Sequence, residues 1–264
     1  MTFEKILPQL IKLTADVGKV IMSFYKADMA VEMKLNKTPL TIADQRAHQL
    51  IVEGLNRLTP NVAILSEESD TATFEQRSEW QEYWLVDPLD GTQDFLEQTG
   101  EFCICIAYIK NHQAIFGLVY APLTQTHYYG FDNKTYKQHN NIQTPLNACS
   151  ATLPLRVVIG HNSTHNSKLQ THLQQLGKHQ LNHLGSALKF CQIAEGVYDY
   201  YPRFGPCCEW DTAAGACILQ NAGGCVVDEN GAPLRYNTKM IYYRPLFLPQ
   251  AFIEKLSVSI ESQR

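Results

Sequence analysis

Apolar residues recur along this chain first at helical and then at strand spacing. Between residues 3 and 25, Ile6, Leu7, Leu10, Val17, Val20, Ile21 and Phe24 fall three and four apart, which predicts an amphipathic helix. "KTPLTIAD" (37–44) reads as a loop into a second helix, with Asp44 near its start and Ile51, Leu55 and Leu58 along it as far as Pro60. "NVAILSEES" (61–69) is a short apolar strand that ends in two glutamates. "YWLVDPLDG" (83–91) repeats the pattern, strand and then acids. Residues 102–137 read as consecutive strands with a turn at "KNH" and a break at Ala121-Pro122, so an antiparallel sheet is expected.

Beyond "NACSATLPL" (147–155) strands and helices alternate. "RVVIG" is a buried strand, 167–177 a helix, "LNHLG" a short strand, "SALKFCQIAEG" a helix stopped by Gly196, and "VYDYYPR" extended. "WDTAAGACILQNAGG" is a helix with Asp211 at its start and a glycine pair at its stop. "CVVDENGAPL" looks like a hairpin turning at Asn230-Gly231. The change of pattern near 145–155 divides one compact unit into an α+β lobe (1–150) carrying most of the acids and an α/β lobe (151–264).

Composition narrows the function. The chain has 264 residues, 45% apolar and 18% charged, which fits a globular protein and argues against disorder. A net charge of −4 gives no support for binding a nucleic-acid polymer, whereas a nucleotide-sized ligand needs only a few local basic residues. Glu4, Lys5, Lys12, Asp16 and Lys19 interrupt the N-terminal apolar runs, so no signal peptide is expected. No stretch approaches the ~20 apolar residues of a membrane span. A cytoplasmic location is expected; peripheral attachment to the inner face of the membrane leaves no sequence mark and stays open. The eight cysteines form no C-x-x-C pair, which predicts reduced structural thiols rather than disulfides or zinc.

The acids carry the candidate chemistry. Glu67, Asp87 with Asp90, and Asp211 each stand where one element ends and another begins, and Asp44 is a weaker fourth place. Converging carboxylates need a compensating charge, and Mg²⁺ is the oxygen-loving candidate. Two such ions clamp the attacking and leaving oxygens of a phosphoryl transfer. Pro88 holds "DPLDGT" in a tight turn that aims both aspartates and the Leu89 carbonyl at one cavity. Gly91 lets the backbone approach a ligand, and the Gly91 and Thr92 N–H groups suit phosphate oxygens. Taken singly, Asp211 reads as a helix cap and Glu67 as a solvated strand end. It is the pairing of acids about Pro88-Leu89 that points to a metal.

"WLVDPLDGT", with upstream "SEES" and downstream "WDTAAG", resembles the inositol monophosphatase superfamily. "GSALKFCQIAEGVYDYYPRFGPCCEWDTAAG" (185–215) resembles its 3′(2′),5′-bisphosphate nucleotidase branch. The resemblance implies a layered αβαβα sugar-phosphatase fold and Mg²⁺-dependent hydrolysis of the 3′-phosphate of adenosine 3′,5′-bisphosphate (PAP) to AMP. It further implies the sulfated precursor PAPS as a second substrate, a role in sulfur assimilation, and sensitivity to Li⁺. Carried over, Glu67, Asp87 and the Leu89 carbonyl hold one Mg²⁺, and Asp87, Asp90 and Asp211 a second. Asp44 serves a third site through water and, with Thr92, orients and deprotonates the nucleophilic water. Gly91 and Thr92 cradle the scissile phosphate. Ser186, Lys189 and Arg203 contact the substrate, including the phosphate that is not cleaved.

The sequence departs from the family pattern in three places. Gln93 stands where many relatives have Lys or Thr. "GHNSTH" replaces S-R-S-H, so either His161 or His165 takes the family histidine's place, with His165 preferred. Cys207-Cys208 replaces small polar residues. Two rival readings remain: an inositol-1-phosphate or related sugar phosphatase, and a non-catalytic Mg²⁺- or nucleotide-binding regulator. Monomer and homodimer stay equally open.

Overall fold

A computed structural model describes residues 2–25, 31–33, 39–69, 72–148, 151, 153–228, 230–238, 242–243 and 245–249. Helix α1 (Phe3–Phe24) precedes β1 (Val31–Met33), β2 (Pro39–Thr41), α2 (Ile42–Leu58), β3 (Ala63–Ser66), α3 (Phe74–Arg77), β4 (Glu82–Asp90) and α4 (Thr92–Leu96). Then come β5 (Cys103–Lys110), β6 (Gln113–Ala121), β7 (Thr126–Phe131), β8 (Lys134–His139) and β9 (Ile142–Leu146). The second half holds β10 (Leu155–Ile159), α5 (Ser167–Gln175), β11 (His179–His183), α6 (Leu188–Ala194), β12 (Tyr201–Pro202) and β13 (Cys207–Cys208). It continues with α7 (Glu209–Asn221), β14 (Gly224–Asp228), β15 (Tyr242–Tyr243) and β16 (Pro245–Pro249).

Strands β3 to β9 form a seven-stranded sheet in sequence order. β3 and β4 are parallel and each later pair is antiparallel. Alternation along the strands builds two cores. Trp84, Val86, Ile104, Ile106 and Tyr108 pack on one face with Leu10, Val17, Ile51 and Leu55 of α1 and α2. Tyr83, Leu85, Cys103, Cys105 and Ala107 pack on the other with α6 and α7. Beyond α6 and α7 lies the parallel pair β10–β11, in which Val158 joins their core while Leu155, Val157 and Ile159 join Leu169 and Leu173 of α5. The result is the layered αβαβα arrangement expected from the sequence.

Helix α7 lies close on β6 because Gly117 has no side chain: a Cβ there would come 2.4 Å from the Ala214 carbonyl oxygen. That contact fixes the height of the helix that carries Asp211.

Three local expectations change. The backbone does not turn at Asp87 but runs on as strand through Asp90. The helix expected from Ser186 starts at Leu188, because Ser186 sits at φ 49° in the left-handed region. After the turn that brings the Asp228 N–H to the Ala232 carbonyl, β14 finds its partner in the distant β16, with only a single bridge from Val227 to Pro233. Cys149 lies outside the described residues.

Candidate active site

β4 and β5 pair Asp87 with Cys105 and Asp90 with Cys103. Three steps along β4 therefore match two along β5, which is a β-bulge at Pro88-Leu89. Residues three apart on a regular strand face opposite sides of the sheet. The bulge cancels that inversion and keeps both carboxylates on the α7 side with the two thiols. Leu89 packs the other way, against α1 and α2. Proline suits the bulge because no ladder N–H is needed there. The bulge is held by the Leu89 N–H donating to Asp87 Oδ1 (3.0 Å) and by Thr92 Oγ1 donating to the Leu89 carbonyl (3.1 Å). Gly91 follows at φ 90°, as the residue before α4.

Three further acids reach this point from other elements. The Glu67 N–H donates to the Val86 carbonyl (3.1 Å), so Glu67 continues the β3–β4 ladder beside Asp87. Asp211 is the third residue of α7 rather than its cap; its Oδ2 accepts from the Cys208 N–H (3.1 Å) and the Cys207 thiol (3.3 Å). Asp44 is buried in the first turn of α2. Burial, and then the charges of Glu67, Asp90, Asp211 and Asp44, hold the Asp87 carboxyl well above its usual range. Asp90 is pushed up to about 7 by burial and by Asp211, against the pull of Lys189, the Ala187 N–H and Arg203. Asp211 is raised by burial and Glu67 and opposed by Arg203. Five carboxylates that cost each other this much ionisation form a hard-oxygen donor set for a divalent cation, and Mg²⁺ fits it.

A cavity of about 330 Å³ opens beside them, with Asp90, Gly91, Ser186, Lys189, Arg203 and Asp211 in its walls. The buried Lys189 Nζ donates to the carbonyls of Leu184 (3.0 Å) and Ser186 (2.5 Å) and lies 5.1 Å from the Tyr201 ring centre. It thus shapes the 184–187 segment as well as charging the wall. The Ala187 N–H donates to Asp90 Oδ2. Arg203 donates to Tyr201 Oη (3.2 Å) and the Pro206 carbonyl (3.1 Å), while its buried Nε has no hydrogen-bond partner among the described residues.

The preference for His165 does not match the geometry. His161 lines the cavity and pairs with Glu101 Oε2 (2.6 Å); His165 is exposed and outside the wall. Both lie on one 3₁₀ turn (His161–His165), where residues four apart do not share a face.

Two acids escaped the sequence reading. Glu101 also accepts the Gly185 N–H (2.5 Å), and a Cβ on Gly91 or Gly185 would crowd its carbonyl oxygen at 2.9 and 2.7 Å. It ties the Gly91 backbone, the 185 segment and His161 together. Glu209, fully buried, accepts the Asn237 N–H (2.9 Å). Glu101 stands singly in the sequence with no motif to mark it, and Glu209 lies directly before the "WD" pair, where Asp211 carries the signal. Asp94 lies on the cavity wall near His161 and accepts from Thr99 Oγ1 (3.2 Å), apart from the five clustered acids.

The inositol monophosphatase family matches residues 3–260. A 3′(2′),5′-bisphosphate nucleotidase, CysQ, of Salmonella typhimurium is 42% identical over 91% of this chain and 98% of its own length. The CysQ nucleotidase of Aggregatibacter actinomycetemcomitans is 34% identical over 92% and 91%. Among solved structures, CysQ from Bacteroides thetaiotaomicron superposes with a TM-score of 0.81 at 29% identity, covering 94% of this chain and 98% of that one. An inositol monophosphatase from Thermotoga maritima shares the fold, with a TM-score of 0.78 at 23% identity over 98% and 97%.

Proposed function

The chain belongs to the inositol monophosphatase family, in its 3′(2′),5′-bisphosphate nucleotidase branch, and from that premise we propose that it removes the 3′-phosphate of PAP with the help of Mg²⁺. Glu67, Asp87 and the Leu89 carbonyl are assigned to one ion, and Asp87, Asp90 and Asp211 to a second; Asp44 serves a third through water. Mg²⁺ held there supplies positive charge to the phosphoryl oxygens and acidity to a water molecule.

The chain's own groups do the rest. The Gly91 and Thr92 N–H groups hold the scissile phosphate. Thr92 Oγ1 donates its hydrogen bond to the Leu89 carbonyl, so its lone pairs are free to orient the attacking water. Asp44, buried nearby, takes that water's proton. Attack in line then needs positioning and charge compensation, not a covalent intermediate.

The observation that carries the substrate assignment is the cationic wall. Lys189 and Arg203 stand in the same cavity as Asp90, and the buried Arg203 Nε awaits an acceptor. A second phosphate supplies one. Ser186 and His161 complete that wall for the nucleoside end. PAPS offers the same 3′-phosphate and is assigned as a second substrate, which places the enzyme in sulfur assimilation.

The test is phosphate release from PAP, PAPS, inositol 1-phosphate and fructose 1,6-bisphosphate, each with and without Li⁺. PAP is expected to be preferred and Li⁺ to inhibit. Preference for inositol 1-phosphate contradicts the branch-level substrate, and no release from any of them favours a regulator.

A further inference from the structure

The bulge that brings Asp87 and Asp90 to one face also brings two thiols against them, and nothing in the proposed phosphatase chemistry uses those thiols. Cys103 Sγ lies 3.8 Å from Asp90 Oδ2 and 3.7 Å from Cys105 Sγ, and donor atoms of all three residues fall within 4.8 Å of one another. A tetrahedral zinc ion with Zn–S bonds of about 2.3 Å and Zn–O of about 2.1 Å sets two sulfurs about 3.8 Å apart and sulfur about 3.6 Å from oxygen. Two edges of the tetrahedron are thus already at length. We propose that Asp90, Cys103 and Cys105 form a tetrahedral site for a thiophilic divalent cation, Zn²⁺, with its fourth position left to water.

The ion has a way in and a reason to enter. Cys103 and Cys105 are shut off from solvent, but Asp90 borders the substrate cavity together with Asp211, and Glu67 and Asp87 adjoin them in a floor of carboxyl oxygens. Mg²⁺ does not favour thiolates, so the same floor sorts hard from soft ions by depth: Mg²⁺ among the carboxylates, Zn²⁺ behind Asp90. Each thiol that coordinates releases its proton to solvent. Because one carboxylate serves both, Zn²⁺ bound there withdraws Asp90 from Mg²⁺ and inhibits. That consequence rests on the reading of Asp90 as a Mg²⁺ ligand; the site itself does not.

The test is a Co²⁺ titration of the metal-free full chain, with Co²⁺ standing in for Zn²⁺. Expected is one equivalent bound with sulfur-to-cobalt charge-transfer absorption and the strong visible bands of tetrahedral cobalt, all displaced by Zn²⁺. Cys103→Ala and Cys105→Ala should each weaken binding at least about tenfold, the loss that even outer partners of metal ligands produce. Cys207→Ala, which removes the thiol beside Asp211, should keep the band. Should the core variants not fold, cadmium NMR of the wild type counts the thiolates directly, and two are expected. Absence of the sulfur band in the wild type, its survival in Cys103→Ala, or a cadmium signal from oxygen ligands alone overturns the proposal. Phosphate release is followed in parallel. Mg²⁺-dependent release without the cobalt band leaves the phosphatase standing and removes the zinc site. The band without any release does the opposite.

Discussion

If Asp90 holds Mg²⁺ as proposed, a proton and a cation compete for its carboxylate. Its folded pKa of about 7 lies above the ~3.9 of an unfolded aspartate. Between those values the folded metal-free protein holds the proton and the unfolded chain does not. Its stability therefore falls as pH rises through that window and levels off above 7. Mg²⁺ replaces the proton, so its stabilising effect should grow over the same window. Melting curves from pH 5 to pH 8 with and without Mg²⁺ check this; a Mg²⁺-dependent rise in Tm larger at pH 5 than at pH 8 contradicts it. Arg203 gives a second residue-scale expectation. Its Nε is a buried donor beside the cavity, and a hydrogen bond to a charged group is worth about 1.5–3 kcal/mol. Arg203→Ala should raise KM for PAP roughly 10–100-fold and leave turnover of inositol 1-phosphate nearly unchanged. The acids themselves were legible in the sequence, since "DPLDGT" places carboxylates on both sides of a constrained Pro-Leu. Glu101 was not: it acts through Gly185 and His161, 84 and 60 residues away, and local sequence carries no trace of such a partner.

Helices and strands of the first half followed from apolar spacing because each buries one face against a neighbour close in sequence. The bulge in β4 did not. Pro88 announced a break in regular backbone, but whether the break is a turn or an inserted residue depends on the register with β5, which pattern alone does not fix. In the second half the strand partnered with β14 is β16, which lies beyond β15, so the local pattern at Asn230-Gly231 suggests a hairpin instead. Helix α7 carries the element-scale expectation. Its seat on β6 depends on the missing side chain of Gly117. Gly117→Val should cost about 1–3 kcal/mol of stability by overpacking. By lifting the N-terminal turn that holds Asp211, it should also weaken Mg²⁺ binding. Urea unfolding paired with Mg²⁺ titration measures both; unchanged Mg²⁺ affinity in a destabilised variant removes the link between helix seat and metal site.

Across the whole molecule, five layers bring acids from α2, β4, α7 and the end of β3 to one floor and basic groups from the second half to the wall above it. No helix among the described residues is long and apolar enough to cross a membrane. The layering was legible through the family resemblance of "DPLDGT" and "WDTAAG", and the unbroken apolar runs of β4 and β5 agree with strands covered on both faces. The depth of the site was not, since it arises from packing between the two halves. One measurement tests the central claim most directly: Mg²⁺-dependent phosphate release from PAP and inositol 1-phosphate by the wild type and by Asp90→Asn, with the fold of the variant checked by its melting curve. Expected is release from PAP well above that from inositol 1-phosphate, lost in a folded Asp90→Asn. Phosphate release from PAP that survives in Asp90→Asn contradicts the account.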